Sequence, residues 1–240
     1  LADVLIDEKT IGIDEKWQSG FLLELLNLSR TWLFRNISPL IAKLRMVKDE
    51  EEIKYMRISS EINDKAMEKV IKVVPEMLTE RLLAKAVKNI FEREGADNIS
   101  FEPIVAYGLN AADPHHVPDS TKIKDGDAVV IDIGCIKAID CIKPGIKACE
   151  IDKVAREVIT KRGYGDYFIH RTGHGVGIEI HEMPYITSNS EIILEPGMIF
   201  SVEPGIYLPN IGGVRIEDLV LVGENGCEIL NHYSKSLTIV

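Results

Sequence analysis

Along the 240 residues the spacing of apolar positions changes twice. In residues 1 to about 45 it predicts only a short alternating strand, Thr10-Ile-Gly-Ile-Asp14, and a helix around Phe21-Leu-Leu-Glu-Leu-Leu26. That is too little for an independent domain. From Val47 the spacing becomes helical. Asp49-Glu-Glu-Glu-Ile53 reads as an acidic, solvated first turn favoured by the helix dipole. Ile53, Met56, Ile62, Met67 and Ile71 then follow at loosely helical intervals, predicting a helix of roughly 20 residues. Leu78 to Glu94 repeats the pattern, with Thr79 and Arg81 near its start and Gly95 as its stop. Beyond Gly95 the chain reads as strands joined by turns: Ser100 to Ala106 and Asp127 to Gly134, then a helix from Ala148 to about Arg162. The predicted C-terminal strands are Met198 to Val202, Gly205 to Leu208, Val214 to Val222 and Cys227 to Leu230. Helices first and mixed strands afterwards imply an α+β fold with a largely antiparallel sheet.

Composition narrows the function classes. With 45% hydrophobic residues the chain can bury a sizeable core. A net charge of -10 and a pI near 5.2 provide no general field to gather phosphates, so nucleic acid is not an expected partner. No apolar run approaches the ~18 residues of a membrane span, and no export signal opens the chain, so a cytoplasmic location is expected. Cys135, Cys141, Cys149 and Cys227 lack zinc or redox spacings and read as reduced structural thiols. The N-x-S triplets at Asn27, Asn36 and Asn98 read as chance occurrences.

The chemistry concentrates in the second half. Five of six histidines, His115, His116, His170, His174 and His181, sit in Gly/Pro-punctuated segments. Glycines around His174, in Gly173-His-Gly-Val-Gly177, remove bulk so that backbone and imidazole can come close to an ion or substrate. Asp132, Glu203 and Glu217 lie inside apolar strands. If buried, each would lose several kcal/mol of hydration, and gathered together they would repel one another. A cation is their natural partner, and carboxylates with one imidazole suit Mn²⁺, Co²⁺, Fe²⁺ or Zn²⁺ better than a thiolate set would. Strand alternation could instead turn any one of these acids outward into water.

Six phrases carry a resemblance: Pro114-His-His-Val-Pro118, Val130-Ile-Asp-Ile-Gly134, Gly173-His-Gly-Val-Gly177 with Ile180-His181, Leu194-Glu-Pro-Gly-Met198, Val202-Glu-Pro-Gly205 and Gly213-Val-Arg-Ile-Glu-Asp218. In this order they resemble the family of Xaa-Pro dipeptidase, Xaa-Pro aminopeptidase, methionine aminopeptidase and creatinase. The resemblance covers about Ser38 to Val240. It implies a pita-bread fold with pseudo-twofold halves for residues 46–240, preceded in 1–45 by the remnant of an N-terminal domain and a linker. It further implies two divalent metal ions, Mn or Co with Zn or Fe as alternatives, held by Asp132, His174, Glu203 and Glu217. His115, His181 and Glu203 take catalytic roles by the same resemblance. His115, His170, His181 and Arg215 face the substrate side, Arg215 also steadying a ligand carboxylate. The implied activity is that of a metal-dependent exopeptidase hydrolysing Xaa-Pro bonds of short proline-containing peptides through a metal-bridging hydroxide. Glu203 would handle the proton, and the two histidines would stabilise charge on the attacked carbonyl. A homodimer is also implied.

One departure stands out. The family's second aspartate, on a return strand after Asp132, has no counterpart here, since Cys135-Ile-Lys-Ala-Ile-Asp140 runs almost directly into the last turn of a helix. About 30 residues are expected between by average element lengths. A segment is therefore read as missing near 136–138. If the deletion is genuine, the alternative is a catalytically inactive family member acting as a binding module. Methionine aminopeptidase and a creatinase-like hydrolase are the alternatives within the enzymes.

Overall fold

The structure, a computed structural model, describes residues 10–28, 31–99, 101–130, 139–236 and 238–239. The chain divides into two compact units, Leu1–Arg45 and Met46–Val240. In the first, β1 (Thr10–Ile13) pairs in parallel with β2 (Leu33–Asn36), with α1 (Ser19–Leu28) between them and α2 (Ser38–Met46) following. A helical crossover permits this parallel pairing, an exception to the antiparallel expectation. Neither β2 nor α2 is signalled by apolar spacing. Ser38 joins the segments, accepting from the Glu15 amide and donating to Asp14.

The second unit opens with α3 (Glu50–Val73), started by the capping box that the acidic run foreshadows: Asp49 accepts from the Glu52 amide while Glu52 accepts from the Asp49 amide. Its partner α4 (Glu80–Arg93) begins at Thr79, whose hydroxyl accepts from the Leu82 amide. The two helices close over Val70, Val74, Leu83, Val87, Val105 and Tyr107. The predicted strand from Ser100 shrinks to β3 (Ala106–Tyr107), paired with β4 (Val129–Val130), all that is described of the strand expected from Asp127.

The main sheet has the order β11-β10-β7-β5-β6 and is antiparallel throughout. Its strands are β5 (Gly173–Gly175), β6 (Glu182–Ile186), β7 (Ile199–Val202), β10 (Asp218–Val222) and β11 (Cys227–Ile229). Helix α5 (Ala148–Lys161) covers one face, burying Ala148, Ile151 and Ala155 in a core with Ile186, Phe200, Val202, Val220 and Val222. Sequence patterning misses β6, because Pro184 interrupts its alternation.

The strand expected from Val214 to Val222 is broken into β9 (Gly212–Arg215) and β10. Opposite the break stands Pro204, between β7 and β8 (Gly205–Leu208), which has no N–H to give the ladder. Pairing nonetheless keeps one register across the gap. Asp218 faces Val202 and Gly205 faces Arg215, while the Ile216 amide reaches the Pro204 carbonyl at 3.5 Å. The two strands are thus one long antiparallel ribbon, relaxed at Glu203-Pro204 and Ile216-Glu217.

Candidate active site

The relaxed stretch of this ribbon carries two carboxylates. By the continuous register, Glu217 lies opposite Glu203, and like charges placed so are destabilising. Neighbouring β5 brings a third donor. Its pairing of Gly175 with Phe200 sets His174 across from Ser201, on the face that Glu203 shares by strand alternation. The Ser201 hydroxyl accepts from the His174 amide and donates to Glu203. His174 Nε2 stands 3.1 Å from Glu203 Oε1, with the imidazole nearly buried.

The hydrogen bond of the other ring nitrogen makes this contact informative. Nδ1 lies 3.0 Å from the Gly175 carbonyl, which can only accept, so Nδ1 carries a proton. Nε2 then presents either a second proton or a lone pair to the carboxylate. An imidazole oriented by an Nδ1–H bond to a carbonyl, with Nε2 aimed at acidic oxygens, is the arrangement of a metal-ligating histidine. Burial by itself raises the Glu203 pKa, but the His174 hydrogen bond and the charges of His174, Arg215 and His170 outweigh it and hold the carboxyl below its ordinary range. The donor set of His174, Glu203 and Glu217 therefore fits a divalent cation. Asp132 lies outside the described residues, as do Cys135 and the junction near 136–138.

His181 and His170 lie near this set, whereas His116 meets Glu80 and the His232 amide meets Asp64. His181 packs edge-on against His174 with ring centroids 4.2 Å apart. Its pKa is lowered by partial burial first, then by His174 and Arg171, with Glu203 opposing and His115 adding to the depression. His115 is exposed, and its backbone amide donates to the Asp113 carboxylate. The His170 ring is 5.4 Å from that of Tyr207, its Nδ1 bonded to the Arg171 carbonyl. Arg215 is buried and donates to the Pro114 carbonyl and to the Tyr207 hydroxyl, so it braces the backbone just before His115.

The glycines have a different reason from the one expected. A Cβ on Gly173 would lie 1.8 Å from the Ser201 carbonyl oxygen, and one on Gly175 2.2 Å from that of Met183. They let β5 sit tightly between its neighbours, and only through that do they place His174. Gly205 does act on a side chain, since its Cβ would come 2.9 Å from His170 Nε2.

Three buried acids that sequence reasoning passed over stand behind the histidine-bearing segments. Asp152 of α5 accepts from the Thr172 hydroxyl and from Arg156, which also donates to the carbonyls of Phe168 and His170. Glu182 pairs with Lys48 at 2.9 Å, both nearly inaccessible, and accepts from the Glu179 amide beside His181. Glu80 meets His116 and Asp119. Their only sequence signal is an acid at the edge of an apolar pattern, which looks like any solvated position. Cys141, Cys149 and Cys227 are each partly buried, and burial raises the thiol pKa of Cys141 and Cys227.

The model of metallopeptidase family M24 matches residues 54–138 and 135–224. An Xaa-Pro dipeptidase of Pyrococcus horikoshii is 36% identical over 262 residues, covering 95% of this chain and 75% of the relative. Among solved structures, the prolidase of Pyrococcus horikoshii superposes with a TM-score of 0.92 at 35% identity, covering 99% of this chain and 78% of that one. An X-Pro aminopeptidase of Thermotoga maritima gives 0.87 at 31% identity, covering 97% and 76%.

Proposed function

Because the chain belongs to metallopeptidase family M24 and has its pita-bread fold, we propose that it is a metal-dependent exopeptidase cleaving the Xaa-Pro bond of short peptides. The observation that carries the reading is the meeting of His174 on β5 with Glu203 after β7, with Glu217 opposite Glu203 in the register and His181 packed against His174. His174, Glu203, Glu217 and Asp132 are the residues assigned to two divalent ions, Mn²⁺ or Co²⁺. Such ions, when bound, supply a nucleophile at neutral pH by lowering the pKa of water.

The chain's own residues do the rest. Glu203, held ionised by its neighbours, is ready to accept the proton released on attack and pass it to the leaving imino nitrogen. His181, kept neutral by its depressed pKa, and His115 stabilise charge on the attacked carbonyl. Arg215 steadies the backbone that carries His115, and His170 lines the substrate side against Tyr207.

Support for the Xaa-Pro bond comes from the similarity to the Xaa-Pro dipeptidase, the prolidase and the X-Pro aminopeptidase. The test supplies purified protein with Mn²⁺ or Co²⁺ and follows proline release from Xaa-Pro dipeptides and from longer Xaa-Pro peptides. Cleavage of Met-Ala peptides without turnover of any Xaa-Pro peptide would refute the substrate class. The proposal includes a cytoplasmic homodimer and residues 1–45 as the tail of an N-terminal domain. It also includes a segment absent near 136–138. That last point is supported by the division of the family match into two segments that overlap at 135–138, and by an alignment of 262 positions that exceeds the chain's 240 residues. An intact mass of the natural protein above 26.8 kDa is expected, and a mass equal to it refutes the missing segment.

A further inference from the structure

Glu80 is fully buried at the first turn of α4, where an unsatisfied carboxylate would be strongly unfavourable. Its four acceptor positions are all taken. Oε1 accepts from the Tyr107 amide at 2.8 Å and the Asn110 side-chain amide at 2.9 Å, while Oε2 accepts from the Asp119 amide at 3.1 Å and lies 2.6 Å from His116 Nε2. A carboxylate offers about four such sites, so none is left for an ion. The 2.6 Å separation is a charge-assisted hydrogen bond in which His116 Nε2 donates. Glu80, His116 and Asp119 therefore form a clamp, not a cation site.

The clamp closes both ends of the segment that presents His115. Asn110 and Tyr107 lie before it, His116 and Asp119 after it. Arg215 also holds the Pro114 carbonyl, and Asp113 accepts from the His115 amide at 2.9 Å. Exposed His115 thus projects from a backbone gripped at the residues on either side. Resting on the proposed peptidase reading, we propose that Glu80 is the positioning residue of His115, acting through the ring of His116. The residue next to His115 in sequence is then a structural partner of a helix-start carboxylate, and the two histidines have separate tasks.

Three variants test this in the metal-loaded, full-length protein. Glu80→Gln turns an acceptor into a donor that cannot serve both His116 and the Asp119 amide. His116→Ala removes the donor while leaving Tyr107 and Asn110 bonded, and His116→Gln restores one. The kcat on an Xaa-Pro dipeptide is expected to fall about 10- to 100-fold in E80Q and H116A, the scale of a misplacement near 1 Å. KM should move less than about threefold, and H116Q should recover most of the loss. In a His115→Ala background E80Q and H116A should add nothing. Independent, multiplying losses in that background overturn the proposal, because they place Glu80 outside the His115 route. Hydrogen exchange over residues 108–119 reads the clamp without reference to activity. Faster exchange in E80Q and H116A with wild-type kcat overturns the positioning role. If E80Q does not fold, the H116A and H116Q pair decides. If the wild type turns over no Xaa-Pro peptide, the peptidase reading falls, and unaltered exchange in the variants would sink the clamp as well, whereas faster exchange would sustain it.

Discussion

Replacing Gly173 with alanine probes how tightly the site depends on backbone packing. The added Cβ would stand 1.8 Å from the Ser201 carbonyl oxygen and 2.8 Å from its carbon, where real Cβ contacts under 3.0 Å are essentially never found. Neither atom belongs to a flexible side chain, so β5 and β7 must part by about 1.2 Å. Overpacking of this kind costs about 3 kcal/mol, the upper end of the usual range. For a unit of this size that lowers the melting temperature by about 6–12 °C. The same movement separates His174 from Ser201 and Glu203, and a displacement near 1 Å reduces turnover on the order of 100-fold. Thermal unfolding with and without Mn²⁺, together with dipeptide hydrolysis, measures both effects. Gly226→Ala is the control: its Cβ meets nothing within 4 Å, so its stability should change by less than about 0.5 kcal/mol. Gly173→Ala protein with wild-type melting and turnover would refute the argument that close strand approach sets the site.

Further outcomes follow from the charges. Glu217→Gln relieves the repulsion with Glu203 and should raise the melting temperature of EDTA-treated protein by about 1–3 °C, while calorimetry finds Mn²⁺ affinity reduced more than about 100-fold. A lower melting temperature in EDTA would contradict the opposed-carboxylate picture. His174→Ala should lose both Mn²⁺ binding in calorimetry and Xaa-Pro hydrolysis, and retained turnover would remove His174 from the site. In metal-free protein the His181 ring resonances should titrate below the ordinary value of 6.5, since burial and His174 disfavour its charge. The folded state then binds fewer protons than the unfolded one, so its stability is complete above pH 6.5 and declines as pH falls through the depressed pKa. Denaturant titrations across that range should lose this acid dependence in His181→Gln, and an unchanged dependence would be contrary to the expectation.

Periodicity determined the long helices, the late strands and the antiparallel preference, because helix capping and strand alternation are local. Asp49 with Glu52 and the apolar run of β7 need only neighbours in sequence to declare themselves. The phrases around His115, His174, Glu203 and Glu217 named the candidate chemistry for a similar reason, each being short and contiguous. Tertiary structure decided which residues serve which purpose. Glu203 and Glu217 become opposed only because the ribbon keeps its register past Pro204, a non-local fact. The glycines beside His174 answer to the carbonyls of Ser201 and Met183 on strands far along the chain. Glu80, Asp152 and Glu182 looked like ordinary acids in sequence, and only burial against partners 20 to 134 residues distant makes them supports of the histidine segments. A carboxylate's role depends on what desolvates it and what donates to it, and both are properties of packing that composition and spacing do not encode.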